Sequence, residues 1–192
     1  MPQTASAEEN THVSPRRRHL TPSEANRLIQ AAGQRGRCRL RDKVLVRMTY
    51  RHGLRASEAV NMRWDHINLD DGTIHVRRRK MGNHSTHTMD RDERRDLRTM
   101  FKSRSGAFVF ESERGGPLSH DMLTRIVREA GELAKLPVPV HPHMLRHAAG
   151  YMLINDGVDL RLVQDFLGHK DIKMTAHYTA LAPGRLAAVR VR

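Results

Sequence analysis

The chain has too few cysteines, aromatic residues and long apolar runs for several classes of protein. Cys38 is the only cysteine among 192 residues, which excludes an intrachain disulfide and any cysteine-based zinc site. A nearly cysteine-free chain also fits a reducing compartment. No apolar run reaches the roughly 18 residues that a membrane-spanning helix needs, and the polar N-terminus lacks a signal-peptide core. We therefore expect a cytoplasmic protein that does not enter membranes.

Positive charge, in contrast, is in large excess. Lysine and arginine number 34 against 21 aspartate and glutamate residues, which gives a formal net charge of +13. A protein with such a field attracts polyanions, and nucleic acid is the favoured partner. An anionic membrane surface and a merely solubilising surface are the alternatives. The 13 histidines also suggest a histidine-based zinc site, which would need three or four converging ligands.

The length fits one domain, which we place at residues 21–182. Residues 1–20 are polar and end in a basic run, so they are predicted to form a disordered basic arm that could lie along a nucleic-acid backbone. A flexible tail without a role is the alternative for this arm. Residues 183–192 are predicted to form a short C-terminal tail.

The domain is predicted to be mainly α-helical with a small antiparallel β-sheet. Apolar periodicity and capping residues predict helices that begin at Thr21, Cys38, Arg55, Asp90, Ser119, Pro142, Asp159 and Asp171. Turn signals at residues 70–72 and 80–83 flank the strand-like segment Thr73–Val76, which indicates a sheet of about three strands. Residues 107–110 are predicted to be a short strand or a buried segment.

One segment carries residues suited to phosphodiester chemistry. Cleavage of a DNA backbone needs fixed cationic donors for the phosphate oxygens, a nucleophile, and an acid for the leaving oxygen. In HPHMLRH, His143 and Arg146 lie three residues apart at the start of a helix, so they share one face. Arginine suits this role because its planar fork makes two parallel hydrogen bonds and keeps its charge. By itself the pair could also be two surface residues.

The remaining candidates are each weak alone. Arg55 lies between a helix-ending glycine and a predicted new helix cap at Ser57, and it could simply pair with Glu58 on the surface. Lys80 is placed at a hairpin tip, where its ammonium could reach a leaving oxygen or remain a solvated turn residue. His169 follows the helix-ending Gly168 and would otherwise be a loop histidine.

Tyr178 follows nine residues after His169 on the last predicted helix. An unperturbed phenol has a pKa near 10, so Tyr178 is a plausible nucleophile only if cations surround it. Without them, a tyrosine here would be a core or surface residue.

Taken together, the order and spacing of these residues resemble the active-site set of the tyrosine recombinase, or phage integrase, family. The resemblance covers roughly residues 21–182 and is carried by HGLRASE, HPHMLRHAAGYML, DLRLVQDFLGHKDI and TAHYTA. The chain is most similar to the short fimbrial phase-switch recombinases, which invert DNA. The resemblance implies the tyrosine recombinase catalytic-domain fold for residues 21–182.

The resemblance also implies roles. Arg55 and Arg146 would hold the scissile phosphate, while His143 and His169 would assist by hydrogen bonding and proton transfer. Lys80 would be the general acid. Tyr178 would form a 3′-phosphotyrosyl bond that conserves the bond energy, so neither ATP nor a metal is needed, and no cofactor is expected.

Further expectations come from the same resemblance. The partner would be double-stranded DNA in the nucleoid, bound by a homo-tetramer on two recombination sites. Larger family members have an additional N-terminal domain, so here the basic arm or DNA-bending accessory proteins would take its place. The outcome could be inversion, or integration and excision of a mobile element. Two alternatives stay open: DNA relaxation like that of a type IB topoisomerase, and a non-catalytic DNA-binding regulator with a helix-turn-helix at 159–180.

Overall fold

A computed structural model describes residues 19–78 and 84–179, which form eight α-helices and a three-stranded sheet. This confirms the predicted class, mainly helical with a small antiparallel sheet. In chain order the elements are α1 Pro22–Ala32, α2 Arg39–Arg51, α3 Ala56–Val60, β1 Ile67–Asn68, β2 Thr73–Val76, β3 Ser85–Thr88, α4 Arg91–Lys102, α5 His120–Leu133, α6 Pro142–Asn155, α7 Leu160–Leu167 and α8 Ile172–Thr179.

Local side-chain caps explain where several helices begin. The Thr21 hydroxyl accepts a hydrogen bond from the Glu24 amide at 3.3 Å, and the Glu24 carboxylate accepts one from the Thr21 amide at 2.8 Å. Asp90 and Glu93 form the same reciprocal box at the start of α4. These caps satisfy backbone donors that a helix leaves unpaired at its first turn. They explain why the sequence located these starts to within a residue or two.

The start of α3 differs from the prediction. Ser57 lies inside the helix rather than at its cap, and Arg55 is the capping residue. The Glu58 carboxylate accepts a hydrogen bond from the Arg55 amide at 2.8 Å, so a glutamate at the third helical position replaces a serine cap. Arg55 therefore lies at the N-terminus of α3 and not in the preceding loop.

The sheet has the strand order β1-β2-β3 with antiparallel pairing, and Ile74 of β2 lies opposite His87 of β3. Alternation along β2 buries Ile74 and Val76 and exposes His75. Residues 107–110, predicted to be a strand or a buried segment, form only an isolated bridge through Phe108. Val109 and Phe110 are buried, so this segment packs in the core without being a regular strand.

Two apolar clusters hold the helices together. The larger one joins α1, α2, α5 and α6 and includes Leu20, which the sequence assigned to the arm but which is only 1% exposed. The smaller cluster joins α6, α7 and α8 through Ile154, Val163, Leu167 and Tyr178. Helix α8 therefore packs by means of Tyr178 itself. Within the described ranges, no helix is long and apolar enough to cross a membrane.

Candidate active site

The turn between α2 and α3 brings the first candidate, Arg55, to the site. Gly53 occupies this turn with a φ of +56°, a conformation that side chains other than glycine rarely adopt. A Cβ atom at this position would also overlap with Leu167 of α7. Glycine thus lets the α2–α3 turn contact the end of α7, where the loop carrying His169 begins.

Arg146 of α6 connects the α2–α3 turn with the end of α7. Its side chain is 2% exposed, and its guanidinium donates hydrogen bonds to the Gly53 carbonyl at 2.6 Å and the Leu167 carbonyl at 2.7 Å. Burial lowers the pKa of Arg146 to about 9, and the nearby Arg55 and Arg78 add to the effect. The residue remains charged at neutral pH, so a buried positive charge is fixed at the centre of the site.

Glu58 holds the cationic groups in place. Its side chain is 1% exposed, and its carboxylate is 2.8 Å from Arg55 Nη1 and 2.6 Å from Arg78 Nη1. Arg146 Nη1 lies 3.9 Å from the same carboxylate. We call Arg55, Arg78 and Arg146 the arginine cluster. The Arg55–Glu58 pair that the sequence allowed as a surface contact is present, but it belongs to a buried network.

Arg78 is a member of this cluster that sequence reasoning did not single out. Its side chain is fully buried, and its Nη2 donates to the Phe166 carbonyl in α7. Burial lowers its pKa, and Glu58 opposes this shift. The available signal was strand periodicity: Ile74 and Val76 point inward on β2, and two residues further on Arg78 continues that face.

His169 is placed by a left-handed glycine. Gly168 ends α7 with a φ of +64°, and His169, which follows it, is 8% exposed. Its Nδ1 lies 2.9 Å from the Thr175 hydroxyl of α8. Burial lowers the pKa of His169 to about 3, and the positive charges of Arg146 and Arg55 contribute, so the ring is neutral at pH 7.

His143 lies in the first turn of α6, exposed and one turn before His147. The two rings contact edge to face with centroids 4.4 Å apart. Partial burial and the charge of Arg146 lower the pKa of His143. The shared helix face that the spacing predicted for His143 and Arg146 thus includes His147 as well.

Tyr178 completes the group. Its side chain is 2% exposed, and its ring is nearly parallel to that of His169, with centroids 6.2 Å apart. The phenol oxygen lies 3.0 Å from His147 Nδ1. Burial raises the pKa of Tyr178, while Arg146 and Arg55 act in the opposite direction. The phenol is therefore within electrostatic reach of both arginines, but it is covered in this structure.

The structure thus brings together Arg55, His143, Arg146, His169 and Tyr178, as the sequence predicted. Lys80 lies outside the described residues and stays a prediction. His147 was missed, although its position four residues after His143 already placed it on the same helix face.

Comparison with known proteins places the chain in a family. The sequence profile of the phage integrase family matches residues 18–185. The chain is 39% identical over 181 residues to the type 1 fimbriae regulatory protein FimE of Escherichia coli K12, with 91% of each chain covered. It is 30% identical to tyrosine recombinase XerD of Pseudomonas putida KT2440, over 87% of this chain and 58% of XerD. Its fold is similar to the crystal structure of XerA recombinase, with a TM-score of 0.78 and 26% identity over 90% of this chain and 66% of that one.

Proposed function

This chain belongs to the phage integrase family and is a site-specific tyrosine recombinase, an enzyme that cleaves and rejoins DNA; we propose that Tyr178 is its nucleophile. The observation that supports this role is a buried phenol within electrostatic reach of Arg55 and Arg146, two arginines that both lie beside the Glu58 carboxylate. An isolated phenol would not attack a phosphodiester at neutral pH, whereas one beside fixed positive charges can.

Arg55 and Arg146 are proposed to hold the scissile phosphate. A guanidinium has five N–H donors, and the terminal nitrogens of Arg146 each use one hydrogen on a backbone carbonyl. The remaining hydrogens can therefore donate to the non-bridging phosphate oxygens, on which charge grows in the transition state. Arg55 is about one-third exposed, so it offers its free edge to DNA.

His169 and His143 are proposed to complete the phosphate site. Since His169 is neutral, the Thr175 hydroxyl can donate to its Nδ1 and leave the ring proton on Nε2. That N–H then serves as a donor to phosphate without adding a further charge to the arginine cluster. His143, exposed at the start of α6, can reach the same phosphate from the solvent side.

The proposed reaction balances without a cofactor. The phenol of Tyr178 gives its proton to a neighbouring base and its oxygen bonds to phosphorus. The bond from phosphorus to the 5′ oxygen breaks, and the leaving oxygen takes a proton from the Lys80 ammonium. The covalent 3′-phosphotyrosyl link retains the bond energy, so a 5′ hydroxyl from a partner strand can reverse the step. No ATP is consumed and no metal is required in this scheme.

Access to Tyr178 requires a movement of α8. The ring packs against Gly150 of α6 and is 2% exposed, so a DNA phosphate cannot approach the oxygen in the arrangement described. We expect α8 to shift slightly when DNA binds, which would uncover the phenol oxygen beside the phosphate held by Arg55 and Arg146 while the oxygen stays within hydrogen-bond reach of His147.

The biological proposal follows from charge and similarity. A net charge of +13 suits binding of double-stranded DNA in the nucleoid, and the similarity to FimE favours inversion of a DNA segment such as a fimbrial switch. We propose a homo-tetramer that pairs two sites with the help of DNA-bending accessory proteins. The matched part of this chain corresponds to 58% of XerD, and residues 1–18 of the predicted basic arm lie outside the described residues.

The decisive experiment uses a nicked duplex that carries the protein's own site, selected by binding from fragments of its source genome. The parent protein should form a covalent adduct, and Tyr178→Phe should form none while binding DNA with similar affinity. An adduct that persists would place the nucleophile elsewhere. A plasmid with two inverted sites should undergo inversion; relaxation of supercoils without inversion would favour a topoisomerase.

A further inference from the structure

The phenol of Tyr178 has a hydrogen-bond partner outside the predicted site set. His147 Nδ1 lies 3.0 Å from the phenol oxygen, and the two rings meet edge to face with centroids 5.6 Å apart. His147 directly follows Arg146 on α6, whereas Tyr178 belongs to α8. The contact therefore joins the helix that holds the phosphate-binding arginine to the helix that carries the nucleophile.

The surroundings of His147 keep its ring neutral. Burial lowers its pKa to about 4, and positive groups on both helices add to the effect. The groups that face it are His143 and Arg146 of α6, His141 just before α6, and His177 of α8. A neutral imidazole has one ring nitrogen that accepts, so Nδ1 can receive the phenol's hydrogen bond.

We propose that His147 is a further catalytic residue, whose Nδ1 takes the phenolic proton of Tyr178 as the oxygen attacks phosphorus. The step forms the bond between oxygen and phosphorus, breaks the phenolic O–H bond, and leaves His147 as an imidazolium. On religation the bond to phosphorus breaks, and the imidazolium returns the proton to the phenolate. This inference rests on the proposed role of Tyr178 as the nucleophile.

Other groups near the phenol are poorly suited to accept this proton. Arg55 and Arg146 are cations without an acceptor atom. The ring of His169 lies nearly parallel to that of Tyr178 with centroids 6.2 Å apart, and in the tautomer proposed above its Nε2 carries the ring proton. Its Nδ1 is moreover bonded to the Thr175 hydroxyl. Burial raises the pKa of the phenol, so loss of its proton needs assistance.

The arrival of the phosphate would favour transfer. Its negative charge offsets the arginine cluster, which raises the basicity of the neighbouring imidazole. As the new bond to phosphorus forms, the phenol becomes more acidic. Both changes bring the two groups closer in proton affinity at the moment of attack, which is the condition for effective general-base catalysis.

The test compares His147→Asn and His147→Gln with the parent in single-turnover adduct formation on the nicked duplex. An amide can accept a hydrogen bond but cannot take up a proton near neutral pH. We expect unchanged DNA affinity and a cleavage rate lower by roughly 10²–10⁴-fold, the usual contribution of a general base. His120→Asn, a change at an exposed histidine that begins α5, is the matched control and should cleave at the parental rate.

A second measurement separates proton transfer from positioning. Replacement of Tyr178 by a fluorinated tyrosine gives a more acidic phenol, which needs its base less. This replacement should recover much of the lost rate in the His147 variants and change the parent little. A slow variant without this recovery would assign His147 a structural role, and an unimpaired rate in either variant would overturn the inference outright.

The two proposals fail in different ways. If Tyr178→Phe still forms the adduct, the nucleophile lies elsewhere and the proposed function of this site is wrong. If Tyr178→Phe abolishes the adduct while both His147 variants cleave normally, only the proton acceptor has been misassigned. Using two substitutions at His147 keeps the outcome interpretable if one of them folds poorly.

Discussion

Glu58→Gln keeps the shape of the side chain and removes the negative charge that the arginine cluster shares. In the folded protein the carboxylate is 2.8 Å from Arg55 and 2.6 Å from Arg78, and its side chain is 1% exposed. The Arg78 side chain is fully buried. Solvent therefore cannot replace the lost charge, and the guanidinium groups would repel one another in a poorly screened interior.

The expected loss of stability is large. Removal of one partner of a buried ion pair typically costs about 3–5 kcal/mol, because the other charge is left uncompensated. For a domain of this length each kcal/mol lowers the melting temperature by roughly 2–4 °C. Glu58→Gln should therefore lower the melting temperature by about 6–20 °C.

Thermal unfolding followed by circular dichroism measures this change, with Glu132→Gln as the control. Glu132 forms an ion pair with Arg128 at 3.8 Å, but both side chains are more than half exposed. Loss of such a surface pair should cost about 0.5 kcal/mol or less. If the two variants melted within about 2 °C of each other, the charge of Glu58 would not hold the cluster together.

Inorganic phosphate provides a second readout for the same variant. A bound anion that contacts the folded state alone raises its stability. Because Glu58→Gln leaves the cluster without its counter-charge, phosphate should raise the melting temperature of the variant more than that of the parent. An equal rise in both proteins would contradict the assignment of this cluster as the phosphate site.

Three further predictions concern packing, pH and salt. Gly150→Ala should reduce adduct formation, because the added Cβ would lie 2.8 Å from the Tyr178 ring; Gly116→Ala, where the added carbon meets no atom within 4 Å, should not. The pKa of His87 and of His169 is about 3, below the ordinary value of 6.5, so the unfolded chain takes up protons first as the pH falls. Stability should therefore be complete above pH 6.5 and decline toward pH 3, by on the order of 2 kcal/mol per histidine at pH 5. Urea unfolding at pH 7.5 and pH 5 measures this loss, and equal midpoints would refute it. DNA affinity, measured by fluorescence anisotropy, should fall steeply with salt because lysine and arginine contacts displace counterions; a flat dependence would exclude binding led by phosphates.

Several features could be predicted from the chain because they depend on neighbouring residues. The caps at Thr21 and Asp90 satisfy amides three residues away, so the sequence contains both partners of each bond. Gly168 similarly ends α7 by a local backbone preference. The three-residue spacing of His143 and Arg146 is also a local feature, and it predicts that both lie on one helix face.

Other predictions drew on resemblance rather than on local physics. Nothing within a few residues of Arg55 or Tyr178 indicates that the two would meet, because more than a hundred residues separate them. The family resemblance supplied that expectation, and in the fold Arg55 lies close enough to Tyr178 for its charge to act against the rise in phenol pKa that burial causes. The position of Lys80 is not tested, since residues 79–83 lie outside the described residues.

The sequence by itself determined the elements, their order, the basic character of the protein and the family to which it belongs. Only the tertiary structure decided that Glu58 is buried among arginines, that Arg78 joins them, and that His147 contacts the phenol. Burial and the approach of distant side chains depend on how α6, α7 and the end of β2 pack against one another. In isolated segments the charges of Glu58 and Arg78 would be solvated. The packing removes water from both side chains, and their ion pair then holds them in place.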